Sequence, residues 1–124
     1  MNIKNIDPAL TLLKEFNKAT NGSADLIEKL RKQTIFSDGQ VSAKYKALGA
    51  MLWSISARCE PCIRYYVQQA ARLRATEGEI GEFLAVASTM GGCVGEMWAL
   101  KAFKAFRDLE NTEGDSEVEP QCCI

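Results

Sequence analysis

Histidine is absent from this chain of 124 residues. Its absence excludes every catalytic arrangement that uses an imidazole as general base, and it removes the commonest nitrogen ligand of metal ions. Apolar runs that approach the roughly 20 residues needed to span a bilayer are also missing. The N-terminal sequence lacks the apolar stretch and the small-residue cleavage site of a signal peptide. We therefore expect a cytoplasmic protein with no membrane partner.

Charge is unevenly distributed along the chain. Residues 108–119 contain six acidic residues and no basic one, so residues 1–107 carry 15 basic against 10 acidic residues. A basic body with an acidic tail occurs in nucleic-acid binding proteins, but here the Lys and Arg residues are scattered and rarely clustered. We therefore expect solvated helix faces and no nucleic-acid partner.

Apolar residues recur at helical spacing along almost the whole chain, and no stretch predicts a strand. The predicted fold class is all-α, a compact bundle of about six helices in one domain over residues 1–109. The predicted helix starts are Asp7-Pro8, Ser23, Ser42, Cys59-Glu60-Pro61, the Thr76–Glu79 capping box and the residues after Gly91-Gly92. The predicted buried stripes are Ala9, Leu12, Leu13 and Phe16; Leu26, Ile27 and Leu30; Leu48, Met51, Leu52 and Ile55; Ile80, Phe83, Leu84 and Ala87; and Trp98, Ala102, Phe106 and Leu109.

Two features fall outside this bundle pattern. Residues 110–124 are charged and cannot bury enough apolar area to offset the entropy of ordering, so they are predicted to be a flexible acidic tail that ends in Cys-Cys-Ile. The last two predicted helices also carry apolar residues off their main stripes, which predicts burial between subunits of a homo-oligomer. These residues are Val86, Met90, Met97, Leu100 and Phe103.

Five cysteines are many for a chain of this size. In a reducing compartment, close cysteine pairs more often carry out redox chemistry or bind metal than form structural disulfides. Cys59 and Cys62 are two residues apart at a predicted helix start, which places their thiols close enough for a disulfide. The unpaired amides and the partial positive charge of a helix N-terminus stabilise a thiolate, and Arg58 and Arg64 lie nearby in sequence. The pattern favours redox chemistry.

Other interpretations of the cysteines remain open. A zinc site needs a second pair with matching spacing, and the other adjacent pair is Cys122-Cys123 on the predicted tail. That tail pair can transfer electrons to the CxxC pair, hold a soft metal or metalloid ion, or be an incidental terminus. Cys93 is either an accessory thiol near the active pair or a small buried hydrophobe, and we favour the buried hydrophobe.

Three features occur in order between Lys44 and Phe106: the CxxC pair opening a helix, the box Ala75-Thr76…Glu79-Ile80, and the break Met90-Gly91-Gly92. Together they resemble the carboxymuconolactone decarboxylase family, and within it the cysteine-bearing branch typified by alkylhydroperoxidase D. The resemblance covers about half of the chain. It implies an all-α fold, homo-trimers or hexamers, and reduction of a peroxide or disulfide with electrons from a thiol donor. We expect no cofactor and no metal.

The resemblance also implies roles for the two cysteines. In that branch the second cysteine attacks the peroxide, and the first is the proton donor and the resolving thiol. By position, Cys62 is then the attacking residue and Cys59 its partner. By analogy with thioredoxin-type CxxC pairs, the more N-terminal thiol, Cys59, is the nucleophile instead. Both assignments of the nucleophile therefore stay open.

The sequence departs from the branch pattern at two positions. A His four residues after the second cysteine is replaced by Tyr66, and a Glu twelve residues before the first is replaced by Ala47. An ordinary tyrosine has a pKa of about 10 and is a poor base at neutral pH, so Tyr66 is expected to pack or to donate a hydrogen bond to a thiolate. Glu60 and Glu96 are the candidates to replace the missing relay in proton transfer. The simpler interpretation of Glu60 is a negative charge that complements the helix start, and that of Glu96 is an exposed residue on a helix surface.

The sequence therefore favours a thiol–disulfide oxidoreductase, specifically a CxxC-dependent alkyl hydroperoxidase-like enzyme. The alternatives are a protein whose cysteines bind a soft metal or metalloid, and an inactive oligomeric scaffold of the family. Ring-opening decarboxylation is less favoured, because that branch does not rely on a cysteine pair and its acid–base chemistry is hard to place without histidine.

Overall fold

The computed structural model describes residues 6–111, and none of these residues lies in a strand. This confirms the all-α fold class. The predicted tail, with Cys122 and Cys123, lies outside the described residues, apart from its first two positions. The helical elements are a 3₁₀ turn Pro8–Leu12, α1 Leu13–Ala19, α2 Ser23–Thr34, α3 Ala43–Ser56, α4 Glu60–Arg72 and α5 Glu77–Asn111.

The hydrophobic core lies between α3, α4 and α5, which pack against one another. The predicted stripe of α3 is confirmed, since Leu48 and Met51 are fully buried and Ile55 nearly so. Burying a side chain of this size contributes about 1.5–3 kcal/mol relative to exposure. The other main core residues are Ile63, Val67, Ala70, Ile80, Leu84, Ala99, Ala102 and Phe106.

The two N-terminal helices do not bury their predicted stripes. The backbones of α1 and α2 lie against each other and not against α3–α5. Leu12 at the end of the 3₁₀ turn and Phe16 of α1 are exposed, as are Ile27 and Leu30 of α2, and Leu26 is 65% exposed. The prediction that these residues are buried is therefore wrong for the single chain. Helical periodicity identifies an apolar face, but it does not identify the surface that covers it.

Side-chain caps mark three of the six helical starts, at Asp7, Cys59 and Thr76. The Asp7 carboxylate accepts a hydrogen bond from the amide of Ala9 at 2.8 Å, which confirms Asp7 as a cap. Ser23 is not a cap, because Gly22 with φ 88° takes that position and Ser23 is the first residue of α2. The capping box is confirmed: the amide of Glu79 donates to Thr76 Oγ1 at 3.0 Å, and the carboxylate accepts from the amide of Thr76 at 3.0 Å.

Helix α5 bends sharply at Gly92, whose φ of 61° and ψ of −143° are non-helical. The predicted break at the glycine pair is confirmed, although its two arms form one interrupted element rather than two separate helices. The arms cross so closely that a Cβ atom on Gly95 would lie 2.4 Å from the carbonyl oxygen of Ala87. Contrary to the expectation from the sequence, α5 is long and apolar enough to cross a membrane by length and composition. Its apolar stretch, however, is bent at Gly92 and does not form a straight span.

Candidate active site

Cys59 and Cys62 are joined by a disulfide at the start of α4, with their Cα atoms 5.2 Å apart. Cys59 is the N-cap residue in extended conformation, and Glu60 and Pro61 form the first helical turn before Cys62. Proline suits this position because its fixed φ is helical and its missing amide hydrogen would be unpaired there. Both cysteines are half-buried, so the pair is neither sealed in the core nor fully exposed.

The amide groups around the pair favour negative charge on the Cys59 sulfur. The amide of Cys62 donates to Cys59 Sγ at 3.3 Å, as expected for a capping side chain. A thiolate at a helix N-terminus is stabilised by such donors and by the aligned peptide dipoles. Arg58 is exposed, and Arg64 instead donates from its guanidinium to the carbonyl oxygen of Ile6. The local stabilisation therefore comes from backbone groups more than from arginine.

A cavity of about 690 Å³, called here the Cys62 cavity, opens beside the disulfide. Of the two cysteines, Cys62 belongs to its lining in the described chain and Cys59 does not. Its walls come from the N-terminal segment, α2, α3 and α4, and they are mainly apolar and aromatic. The other lining residues are Ile6, Asp7, Ala9, Leu10, Arg31, Ile35, Ala50, Trp53, Ser54, Pro61, Tyr65 and Tyr66.

Tyr66 lines the Cys62 cavity, whereas Ala47 does not. Tyr66 lies one helical turn after Cys62 and lines the same cavity, with its ring 4.8 Å from that of Tyr65. Ala47 is fully buried in the α3–α5 core, where it offers no acid–base group. At the two positions where the family carries its relay, this chain therefore has a tyrosine that lines the same cavity as Cys62 and a buried alanine, and neither position offers a carboxylate.

Neither of the two predicted glutamates lines the Cys62 cavity. Glu60 pairs with Lys101 of α5 at 3.1 Å, and both side chains are about half exposed. An exposed ion pair of this kind contributes about 0–1 kcal/mol. Glu96 is exposed and lines a smaller cavity of about 240 Å³ between the arms of α5, to which neither Cys59 nor Cys62 contributes. For Glu96 the geometry matches the simpler reading of an exposed helix surface.

Of the accessory cysteines, Cys93 lies within the described residues, whereas Cys122 and Cys123 lie outside them. Cys93 is a free and exposed thiol on α5, so the favoured interpretation as a small buried hydrophobe is wrong for the single chain. It is not among the residues that line the Cys62 cavity. Within residues 6–111, no group of three or more Cys, Asp or Glu side chains is arranged to hold a metal ion.

Glu79 has a larger structural role than its capping motif indicates. Its carboxylate also accepts hydrogen bonds from Lys44 Nζ at 2.9 Å and from the Tyr45 hydroxyl at 3.1 Å. The amide of Thr76 and the ammonium of Lys44 lower the pKa of Glu79 to about 2, and the same contact raises the pKa of Lys44. These bonds tie the start of α5 to the start of α3, and none of these residues lines the Cys62 cavity.

Sequence reasoning missed several residues of the cavity. Trp53 is 69% exposed and lines the cavity from α3, and its position off the buried stripe of that helix was an available signal. Ser54 is buried, and its carbonyl accepts from the amide of Cys59 at 3.1 Å, which gives no recognisable pattern in sequence. Ile6 contacts the site across 58 positions of the chain, a separation that local periodicity cannot detect.

A family model described as the carboxymuconolactone decarboxylase family matches residues 22–105. An uncharacterised protein of Cupriavidus necator is 38% identical to this chain over 72 residues, which are 58% of this chain and 64% of that protein. The match therefore spans less than two thirds of the relative's length.

Solved structures give the same result. The apo crystal structure of a carboxymuconolactone decarboxylase family protein from Legionella pneumophila is similar with a TM-score of 0.76 and 30% identity, over 86% of this chain and 95% of that chain. A crystal structure from Thermotoga maritima has a TM-score of 0.72 at 24% identity, over 91% and 99% of the two chains, and supports the fold alone. With its CxxC pair at the start of α4, this chain belongs to the carboxymuconolactone decarboxylase family.

Proposed function

We propose that this protein is a thiol–disulfide oxidoreductase that reduces hydroperoxides with Cys59 and Cys62. The observation that carries the proposal is the disulfide at a helix start with Cys62 lining a mainly apolar cavity. Membership of a family that includes alkylhydroperoxidases supports it. The proposed location is the cytoplasm, where a dithiol donor returns the pair to its reduced form.

The chemistry balances with the two cysteines and one hydroperoxide. The Cys62 thiolate attacks the terminal peroxide oxygen, so that an S–O bond forms, the O–O bond breaks and Cys62 becomes a sulfenic acid. The departing alkoxide takes the proton of the Cys59 thiol. The resulting Cys59 thiolate attacks the Cys62 sulfur, which forms the disulfide and releases hydroxide, protonated by solvent. A dithiol donor then reduces the disulfide by exchange and is itself oxidised to a disulfide.

The geometry favours this division of roles. Cys62 lines the cavity in which a substrate has room to bind, whereas Cys59 does not. The Cys62 amide that donates to Cys59 Sγ stabilises the Cys59 thiolate, so it favours transfer of the Cys59 proton to the departing alkoxide and the second attack that follows. The cavity beside Cys62 therefore suits peroxide attack by Cys62, and the amide hydrogen bond to Cys59 Sγ suits resolution by Cys59.

We propose Tyr66 as the hydrogen-bond donor at this site. Its side chain lines the Cys62 cavity one turn after the nucleophile, where its hydroxyl can stabilise the Cys62 thiolate or the departing oxygen. Tyr66→Phe removes that donor and keeps the ring, so its rate constant for peroxide attack should fall about tenfold, as expected for loss of a hydrogen bond to a charged group. An unchanged rate constant would assign Tyr66 to packing.

Thiol counting tests the main proposal. In a variant with Cys93→Ser, Cys122→Ser and Cys123→Ser, one equivalent of an organic hydroperoxide should consume both remaining thiols, and peptide mass spectrometry should find the Cys59–Cys62 disulfide. Cys59→Ser in that background should accumulate a sulfenic acid on Cys62 that dimedone traps, whereas Cys62→Ser should not. Thiols that survive excess peroxide would favour the inactive scaffold. A soft metal or metalloid detected by elemental analysis would favour the binding protein.

We also propose a homo-oligomer, a trimer or hexamer, that covers the outer face of α5. Met90 at the bend is 82% exposed, and its neighbours on this face are also exposed. A concentration of exposed apolar side chains of this kind is typical of a protein interaction site. Sedimentation should detect the oligomer at micromolar concentration, and Met90→Glu should dissociate it; a wild-type monomer would contradict the proposal. The neighbouring residues are Val86, Val94, Met97 and Leu100. Phe103, which the sequence also assigned to this face, is instead partly buried against the core of its own chain.

A further inference from the structure

We propose that residues 6–10, held in place by Arg64, form a wall of the Cys62 cavity that selects bulky apolar substrates over hydrogen peroxide. Arg64 is then a positioning residue for the site rather than a neighbouring charge for the thiolate. The inference rests on the proposed oxidoreductase function, but the wall can be tested by chemistry that does not require that function.

Arg64 connects the helix of the cysteine pair to the N-terminal segment. It lies two residues after Cys62, its Nε donates to the carbonyl oxygen of Ile6 at 3.0 Å, and its Nη2 donates to the same oxygen. Two donors of one rigid guanidinium fix the position and the direction of the carbonyl group. Hydrogen bonds from a charged donor are also stronger than neutral ones. The backbone at Ile6 is therefore held directly by the active-site helix.

The Ile6 side chain provides a second attachment. It is 1% exposed and packs against the buried ring of Tyr65 in a small cluster separate from the α3–α5 core. Leu10, Phe36 and Tyr66 pack around this cluster. The N-terminal segment is thus attached to α4 by one polar and one apolar contact, both within the turn that follows Cys62.

Local structure directs the rest of the segment to the cavity. The Asp7 carboxylate caps the 3₁₀ turn through the amide of Ala9, and Pro8 opens that turn with a restricted φ. Asp7, Ala9 and Leu10 all line the Cys62 cavity as a result. Trp53 and Ala50 of α3 also line it.

The size and the apolar character of the cavity favour a bulky apolar substrate. A water molecule occupies about 30 Å³ of liquid, and hydrogen peroxide is little larger, so it fills a small part of 690 Å³. An aromatic or branched alkyl hydroperoxide fills more of this space and displaces water from the apolar wall, which favours its binding. Without residues 6–10 in place, one of the walls that a bulky substrate contacts is lost.

Alkylation of the reduced thiol tests the wall directly. In the variant that keeps only Cys59 and Cys62, rate constants at Cys62 are measured by mass spectrometry for N-phenylmaleimide and N-methylmaleimide. The phenyl-to-methyl ratio should exceed that of a free cysteine peptide, and Arg64→Ala should lower it roughly tenfold, as expected when hydrogen bonds from a charged group are lost. Any change in thiolate population affects both reagents equally and cancels in the ratio.

Control variants separate the wall from general effects. Arg107→Ala removes a guanidinium that pairs with Glu77 on α5, away from the cavity, and should leave the ratio unchanged. Arg64→Lys keeps the charge but loses the paired donors of the guanidinium, so its phenyl-to-methyl ratio should lie between those of wild type and Arg64→Ala. This variant also tests the wall if Arg64→Ala does not fold. A wild-type ratio in a folded Arg64 variant would overturn the inference.

A peroxide assay distinguishes failure of the wall from failure of the function. If the protein reduces cumene hydroperoxide, Arg64→Ala should lower its kcat/KM for this substrate relative to that for hydrogen peroxide. Absence of all peroxide reduction, together with the expected change in maleimide ratio, would reject the proposed function and keep the wall. Peroxide reduction with unchanged ratios in both assays would reject the wall alone.

Discussion

Helices α3–α5 and helices α1–α2 both carry apolar stripes at helical spacing, but only the first group buries them within one chain. Met51 of α3 is fully buried, whereas Leu26 of α2 is 65% exposed. The periodic pattern is present in both regions, so it does not distinguish a face covered by the same chain from one that lies at the surface. The covered region holds the cysteine pair, and the open one contributes Arg31 and Ile35 to the Cys62 cavity.

The largest expected effect is a difference between matched truncations in the two regions. Met51→Ala should lower the free energy of unfolding by about 2–5 kcal/mol, since it removes a buried side chain and leaves a cavity. Leu26→Ala should change it by less than about 0.5 kcal/mol in a monomer. Urea unfolding of both variants measures the difference. Equal losses would mean that the α2 stripe is buried against another chain.

A second prediction concerns the crossing of the two arms of α5. Gly95→Ala places a Cβ atom 2.4 Å from a backbone oxygen of Ala87, so the arms must move apart and stability should fall by about 1–3 kcal/mol. Gly49→Ala is the matched control, because its Cβ atom meets no other atom within 4 Å. That control should be neutral or stabilising by up to about 1 kcal/mol, since alanine favours helix. Similar melting temperatures for the two variants would contradict the close crossing.

The smallest effect expected is the pH dependence at Glu79. Its pKa is lowered from 4.5 to about 2 in the folded chain, so the folded state favours the ionised carboxylate. The stabilisation is fully present above about pH 4.5 and is lost as the pH falls towards 2. The melting temperature of wild type should therefore exceed that of Glu79→Gln at pH 6, with the gap closing at acid pH. Glu82→Gln, which removes one charge at an exposed position of the same helix, is the matched control.

Local signals predicted much of the fold and part of the site. Asp7, the Thr76–Glu79 box and the glycine pair marked the boundaries because caps and breaks depend on a few neighbouring residues. The CxxC pair was predicted at a helix start for the same reason, and Cys59 takes the cap position there.

Contacts distant in sequence could not be predicted. Arg64 is one of several arginines by pattern, and its bonds to Ile6 arise only when the N-terminal segment folds onto α4. The exposure of Cys93 depends on how the arms of α5 cross, which the glycines permit but do not specify. Glu60 is close to both cysteines in sequence, yet its carboxylate forms an ion pair with Lys101 of α5.

The pH dependence of alkylation at Cys59 and Cys62 tests the central claim most directly. In the reduced variant that lacks the other three cysteines, each thiol is labelled with iodoacetamide from pH 4 to 10 and quantified by peptide mass spectrometry. Since backbone amides at the start of α4 favour a thiolate, Cys59 should react with a midpoint pH clearly below the usual value of about 8.5. Midpoints at or above 8.5 for both cysteines would contradict the account.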